Sequence, residues 1–115
     1  MKYALLAYAR PGAWDDLTDT ERAAWVADDA AFNVELAERG IVVHGNGLAE
    51  ADTATTVRVS DGEAVLTDGP FAEITEHLGG FLVIDVPDLD SALDVARRCP
   101  AARMGPLEVR PVRFG

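Results

Sequence analysis

The sequence predicts an α+β fold of the ferredoxin-like, split βαβ type with an inserted β-hairpin. Strand and helix signals follow one another in the order β-α-β, hairpin, β-α-β. Each predicted helix carries one apolar stripe, as helices that lie against a sheet do. Two helices cover only one face of such a sheet, and exposing the other costs ~25 cal/mol per Å² of apolar surface. We therefore expect a symmetric homodimer that hides this second face.

The first half of the chain begins with a buried strand and a long helix. Residues 2–9 are almost entirely apolar and predict the strand. Thr18 and Glu21 have the spacing of a capping box, in which each side chain accepts a hydrogen bond from the other residue's backbone amide. The helix is predicted to run over 19–39 and to end at Gly40, since glycine adopts the left-handed conformation that closes helices.

The middle of the chain contains a second strand and a hairpin. Residues 41–48 predict a strand that its glycines weaken or bulge. Residues 55–60 and 63–67 flank Asp61-Gly62, and this dipeptide favours the tight turns that join antiparallel strands. The sequence therefore predicts a β-hairpin here.

An irregular segment follows the hairpin and precedes the second β-α-β unit. Residues 68–71 contain glycine and proline and so predict a turn, and 72–77 predict a short turn or helical piece. A strand is predicted over 81–86, and a helix over 89–98 with Asp88 as its N-terminal cap. A last strand over 107–112 completes the fold.

Composition limits the class of protein. The length of 115 residues predicts one domain over 1–115, and a hydrophobic fraction of 49% excludes disorder. The net charge of -10 argues against direct contact with nucleic acid, whose phosphates an acidic surface repels. The single cysteine, Cys99, allows no internal disulfide and is expected to be a small packing residue.

The opening apolar run is too short for a signal peptide, and no stretch has the length needed to span a membrane. We therefore expect a cytoplasmic protein without membrane contact. Two histidines without ligand spacing predict no metal site, and Gly45-Asn46-Gly47 lacks the G-x-G-x-x-G form of a nucleotide loop. The sequence accordingly predicts no cofactor.

The stretch TDGPFAEITEHLGGFLVIDVPDLDSAL, with Asp68-Gly69-Pro70-Phe71 near its start, resembles the signature of the YCII-related superfamily in its DGPF branch. The resemblance extends to MKYALLAYARPGAW at the start of the chain, ATTVRVSDGEAVLTDG in the middle and LEVRPV near the end. It therefore covers nearly the whole sequence, with the elements in the same order.

The resemblance implies a dimeric α+β barrel of ferredoxin-like halves in a family without an established general activity. It implies two possible roles. Some relatives are enzymes on small molecules, such as dehalogenases that act on chlorinated lactones. Others are fused to, or encoded beside, sigma-70-type transcription factors, which suggests a role around transcription initiation.

This chain departs from the family at residues linked to catalysis. The histidine that the family carries in its first helix is absent between 18 and 40, and the only histidines are His44 and His77. The lysine that relatives carry after the signature is also missing from 74–78. Any role that rests on that histidine or that lysine cannot be carried over to this chain.

Asp68 is the first candidate for a catalytic or ligand-binding residue. It ends a predicted strand beside a glycine and a proline, where its carboxylate could point into a cleft or simply cap the turn. Phe71 is expected to anchor the core or a pocket wall. Glu73 and His77 could exchange protons with a ligand if both face one pocket, although a solvated turn explains them as well.

Asp29 and Trp14 are further candidates. Asp29 shares a helix face with Trp25, Phe32 and Leu36, so it either meets a cation, with Arg22, Arg58 and Arg110 as the options, or lies at the wet margin of the stripe. Trp14 follows the first strand and could line a cleft or the dimer seam.

Three hypotheses of function follow. The first is a homodimer with a small-molecule pocket near Asp68–Phe71, which is catalytic if Asp68 acts with Glu73 or Asp29. The alternative is a non-catalytic regulatory domain that contacts a sigma-70-type factor. The third is a structural dimer whose ancestral site has decayed.

Overall fold

A four-stranded antiparallel sheet organises the chain in the computed structural model, which describes residues 1–72 and 74–115. In chain order the elements are β1 (Lys2–Ala9), α1 (Asp19–Arg39), β2 (Val42–Gly47), a 3-10 turn (Ala51–Thr53), β3 (Thr55–Ser60), β4 (Glu63–Asp68), β5 (His77–Asp85), α2 (Leu89–Arg98), a second 3-10 turn (Pro100–Arg103) and β6 (Leu107–Pro111).

The strand order β2-β5-β1-β6 is that of a split βαβ fold. Strand β5 lies between β2 and β1 and runs antiparallel to both, and β6 lies antiparallel to β1 at the far edge. The hairpin of β3 and β4 forms a separate two-stranded sheet. The predicted α+β class and the inserted hairpin are therefore confirmed.

The helix ends follow the sequence signals. Thr18 Oγ1 accepts from the Glu21 amide at 3.1 Å, and Glu21 Oε1 accepts from the Thr18 amide at 2.9 Å. These hydrogen bonds to Thr18 hold the pKa of the Glu21 carboxyl below its usual value. Gly40 closes α1 at φ 67°, and Asp88 accepts from the Ser91 amide at the start of α2. Neither helix is both long and apolar enough to cross a bilayer.

The segment between the hairpin and α2 corrects the sequence prediction. Strand β5 begins at His77 rather than at residue 81, so Gly79 and Gly80 lie inside the strand. The register of β1 and β5 shifts between Ala7 and Tyr8, so that Gly79 is an extra residue on β5 without a partner on β1. The described part of 72–76 consists of bends rather than a helix, and Glu73 lies outside the described residues.

The core lies between one face of the sheet and both helices. Alternation along β1 turns Tyr3 and Leu5 towards the helices, and Ile84 joins them from β5. Phe32 and Leu36 of α1 pack on these side chains. Helix α2 adds small residues, which let it lie close to the sheet: Ala92, Val95 and Ala96.

The opposite face of the sheet carries an apolar strip without a helical cover. Ala4 lies opposite Val83, and Leu6 lies opposite Phe81, on the face that points away from the core. Because both helices join the core on the other side, these four half-buried residues meet solvent in a single subunit.

The hairpin extends away from the main sheet. Its cross-strand pairs put Val57, Leu66 and Val59 on one face, with exposures of 58%, 67% and 70%. The Cα radius of gyration is 16.1 Å, against about 13 Å for a compact domain of this length. A lone two-stranded hairpin is marginally stable in water. Within one subunit the hairpin therefore has little stabilising contact with the rest of the described chain.

Gly105 should tolerate no side chain. An added Cβ would lie 2.0 Å from the Tyr8 carbonyl oxygen, which is rigid backbone of β1. We expect Gly105→Ala to lower the free energy of unfolding by about 1–3 kcal/mol, the usual cost of overpacking. Gly47→Ala is the matched control, because a Cβ there meets nothing within 4 Å. Urea unfolding followed by circular dichroism measures both, and equal stabilities would contradict the close approach.

Candidate functional site

A cleft of about 1010 Å³ opens between α1 and the helix-facing side of the sheet. Its walls come from β1, β2, β5 and α1, together with the loop after β1 and the segment after β2. This volume lies at the upper end of the range that small-molecule sites occupy.

The floor of the cleft consists of residues with little or no side chain. Ala7 lies opposite Gly80 across β1 and β5, and Gly80 lies opposite Gly47 across β5 and β2. This row continues the face that carries Leu5 and Leu82, but nothing rises from it to meet α1. The cleft exists because the core stops at Leu5 and Leu82 and the next row supplies no volume.

Two tryptophans form part of the wall. Trp14 and Trp25 pack edge to face, with ring centroids 5.6 Å apart and an interplanar angle of 79°. Trp25 Nε1 donates to the Pro100 carbonyl at 3.0 Å, which ties α1 to the 3-10 turn after α2. Arg22 Nε donates to the Trp14 carbonyl at 3.0 Å and holds the loop after β1 against α1. These contacts join α1, the loop after β1 and the second 3-10 turn, and so hold the two tryptophans in place.

Asp29 and Cys99 are polar groups on this wall. Asn33 Nδ2 donates to Asp29 Oδ2 at 3.3 Å. Burial raises the pKa of the Cys99 thiol, and the charge of Asp29 raises it further, against two backbone hydrogen bonds that lower it. Cys99 packs against the core, as the sequence predicts, and its raised pKa disfavours the reactive thiolate.

The cations proposed for Asp29 are engaged elsewhere or form no ion pair with it in the described chain. Arg22 pairs with Asp19 at 3.1 Å, and Arg110 pairs with Glu108 at 2.9 Å. Asp29 is half-buried beside the apolar stripe of α1. The structure therefore favours the second interpretation of Asp29, a position at the margin of the apolar stripe of α1. That margin faces the cleft.

The Asp68–Phe71 turn meets the cleft only at its rim. Pro70 lines the cleft, whereas Asp68 ends β4 as an exposed residue and Phe71 is 73% exposed. Gly69 donates its amide to the Ala54 carbonyl, and Thr56 Oγ1 donates to the Gly69 carbonyl at 2.8 Å. These two hydrogen bonds close the base of the hairpin. Among the described residues, the Asp68 carboxylate forms no hydrogen bond there.

His77 is brought to the cleft, and His44 is not. His77 starts β5 opposite Ala9 and lines the cleft wall. His44 lies on β2, where its Nε2 is 2.9 Å from Asn46 Nδ2 and its ring is 5.8 Å from that of Phe81. Glu73, the proposed partner of His77, lies outside the described residues. Within 1–72 and 74–115 no group of three or more His, Cys, Asp and Glu could hold a metal.

The structure brings three of the predicted candidates to one cleft, namely Asp29, Trp14 and His77. The sequence prediction misses the residues that create the space, because they carry no functional group: Ala7, Gly47 and Gly80. The signal that could have found them is the pair of glycines at 45 and 47 together with Gly79-Gly80, read as one floor of paired strands.

The fold and the cleft define a class of small ferredoxin-like α+β proteins with a pocket between sheet and helix. The sequence matches the YCII-related domain over residues 1–114, so the chain belongs to the YCII-related family. It is 37% identical over 114 residues to the uncharacterized protein R00369 of Rhizobium meliloti (strain 1021), a match that covers 97% of this chain and 92% of that protein.

A solved structure shares the fold. It is that of 5-chloro-2-hydroxyhydroquinone dehydrochlorinase (TftG) from Burkholderia phenoliruptrix AC1100, in complex with 2,5-dihydroxybenzoquinone. The TM-score is 0.61 at 17% sequence identity, and the superposition covers 100% of this chain and 96% of the other. At that identity the likeness supports the architecture of the sheet and its two helices.

The protonation of Cys99 gives a testable consequence. Alkylation by iodoacetamide needs the thiolate, and burial keeps the Cys99 thiol protonated to a higher pH than in the unfolded chain. At about pH 8.5, near the usual thiol pKa, we expect slower alkylation of the folded protein than of the urea-unfolded chain. Mass spectrometry of timed samples measures both rates. Faster reaction of the folded protein would show that Cys99 is an activated thiol.

Proposed function

We propose that this protein is a homodimer in which each subunit binds a small organic molecule in the cleft between α1 and the sheet. The observation that carries this proposal is the cleft itself, about 1010 Å³ in volume, with two tryptophans on its wall and a floor of alanine and glycine. A pocket of mostly apolar lining with a few converging polar groups is the usual form of a small-molecule site.

The structural neighbour supports the size of the ligand. TftG holds 2,5-dihydroxybenzoquinone, a single six-membered ring with oxygen substituents. A compound of that size fits well within a cleft of about 1010 Å³. If this chain also performs a reaction, Asp29 and His77 are two of the lining groups that could exchange protons with the bound molecule.

The DGPF turn is proposed to contribute from the rim of the cleft. Pro70 already lines the cleft, and Asp68 and Phe71 flank it with exposed side chains. We propose that Asp68 and Phe71 approach the ligand when this exposed turn is covered in the dimer. The YCII-related family follows from the match over residues 1–114, whereas the DGPF branch stays a prediction from the sequence.

The dimer is supported by two apolar surfaces that one subunit leaves in water. The first is the strip of Ala4, Leu6, Phe81 and Val83 on the outer face of the sheet. The second is the apolar face of the hairpin. A stable interface buries about 1,200–2,000 Å² in total, and the strip and the hairpin face are the two apolar surfaces proposed to contribute to it.

A second role is contact with a sigma-70-type factor, in which this domain acts as a non-catalytic regulator. The same exposed hairpin favours it, because an apolar β-ribbon with 58–70% exposed side chains suits protein docking. The two roles differ in what covers the apolar surfaces. A chain that stays monomeric leaves them free for another protein, whereas a stable dimer occupies them.

Filling the cleft should abolish ligand binding. Gly47→Leu adds a side chain at a floor position where a Cβ meets nothing within 4 Å, so it should enter the cleft without clashing with backbone. We expect the neutral probe indole, at about ten times its Kd, to raise the Tm of the wild-type protein by about 5 °C but not that of Gly47→Leu.

The control for this experiment is Ala27→Leu, which adds the same bulk on the exposed side of α1, away from the cleft. It should keep the wild-type response to indole. An equal response from all three proteins would place the bound indole outside the cleft and refute the proposal.

A charge on the outer face of the sheet should split the dimer. We expect the wild-type protein to sediment as a dimer and its Tm to fall on dilution, because dissociation favours unfolding. Phe81→Lys puts an ammonium in the middle of the strip and should give a monomer. Val26→Lys, on the exposed side of α1, should remain dimeric. Sedimentation equilibrium distinguishes the two, and a monomeric wild-type protein would contradict the dimer.

A further inference from the structure

The charges that line the cleft are strongly unbalanced. Four carboxylates face it from three separate segments of the chain: Asp15, Asp29, Glu50 and Asp52. In the described chain none of the four forms an ion pair. The cleft therefore holds a concentration of uncompensated negative charge.

The cationic groups on the lining do not offset this charge. Arg10 lines the cleft, but its guanidinium is paired with Asp16 and donates to the Pro11 carbonyl at 3.4 Å. His77 is the other basic group on the lining. A cleft with low-dielectric walls focuses the field of its charges, so an anion meets repulsion and a cation meets attraction.

The aromatic wall adds a second, independent preference for a cation. Trp14 and Trp25 lie beside Asp29 on the same lining, and an indole face attracts an ammonium through its quadrupole. Both rings line the cleft, and Trp14 is 37% exposed, so indole surface is accessible to a ligand there. Burial is the main cause of the raised pKa of the Cys99 thiol, and the charge of Asp29 adds to it, which agrees with the place of both groups on the cleft wall.

We propose that the ligand of this cleft is an organic cation, an amine or ammonium group carried on an apolar or aromatic body, with Asp29 and the Trp14–Trp25 pair receiving the charged end. This inference rests on the proposed function, since it assigns a ligand class to the same cleft. The apolar body of the ligand lies over the floor of Ala7, Gly47 and Gly80, where no side chain competes for the space.

Three probes with the same indole ring separate charge from shape. Tryptamine is cationic at neutral pH, indole is neutral, and indole propionate is anionic. We expect isothermal titration calorimetry on the wild-type protein at low salt to rank them in that order. Tryptamine should bind about tenfold more tightly than indole, which is the scale of one cation–π contact with partial desolvation. Added salt should narrow the gap, because it screens the carboxylates.

Asp29→Asn should remove most of this preference, measured as the ratio of the tryptamine affinity to the indole affinity of the same variant. The matched control is Asp28→Asn, which makes the same change in net charge one residue away, where the carboxylate pairs with Arg103 at 3.0 Å instead of facing the cleft. Asp28→Asn should bind all three probes as the wild-type protein does. Circular dichroism of each variant verifies that the fold is intact.

The possible failures are distinguishable. If no probe binds, indole included, both the proposed function and this inference fall. If indole binds but tryptamine binds no more tightly, or indole propionate binds best, the cleft remains a ligand site and the cationic class is wrong. If Asp29→Asn and Asp28→Asn lose the preference equally, the overall charge of the protein sets it, and Asp29 is not the receiving group.

Discussion

The packing of Phe32 and Leu36 on Tyr3, Leu5 and Ile84 determines where every other surface of this protein lies. This contact fastens α1 over one end of the sheet, where large side chains from both layers interdigitate. Beyond Leu5 the strands continue, but their helix-facing row holds only alanine and glycine. The helix cannot sink into that space because it is already held at the core and, through Trp25, at Pro100. A cavity remains where the layers would otherwise have closed.

The distribution of polar groups follows from the same packing. A carboxylate such as Asp29 is tolerated at the margin of the α1 stripe because the neighbouring space is open to water rather than filled with apolar side chains. In a filled core, the same residue would need a cation. The acidic character of the chain, with a net charge of -10, is therefore expressed inside the cleft as well as on the outer surface.

Local signals in the sequence predicted local structure well. The Thr18–Glu21 box, the glycine at 40 and the Asp61-Gly62 turn each depend on residues a few positions apart, so the sequence contains the whole interaction. The sequence places the start of β5 too late because glycine disfavours strand by itself, and Gly80 enters the strand only through its pairing with Ala7 of β1 and Gly47 of β2. The cleft was harder to foresee, since it depends on which residues of three distant strands share one row.

The candidate site residues are likewise predictable where local spacing decides their position, and not where strand geometry decides it. Asp29 could be placed on the right helix face from its spacing alone, and Trp14 from its place after the first strand. The sequence could not say that Asp68 would end its strand on an exposed hairpin, because that orientation is set by the twist and reach of β3 and β4 and not by the motif.

The way the hairpin segment joins the sheet has a consequence for how such chains diversify. The Leu48 amide donates to the Gly79 carbonyl at 2.9 Å, so the two ends of the excursion between β2 and β5 meet at the sheet edge. Whatever lies between those two points can lengthen, shrink or change its sequence without moving a strand of the main sheet, since loop length costs little once the ends are joined. The segment between Leu48 and Gly79 can therefore vary in length and sequence while the four-stranded sheet stays the same.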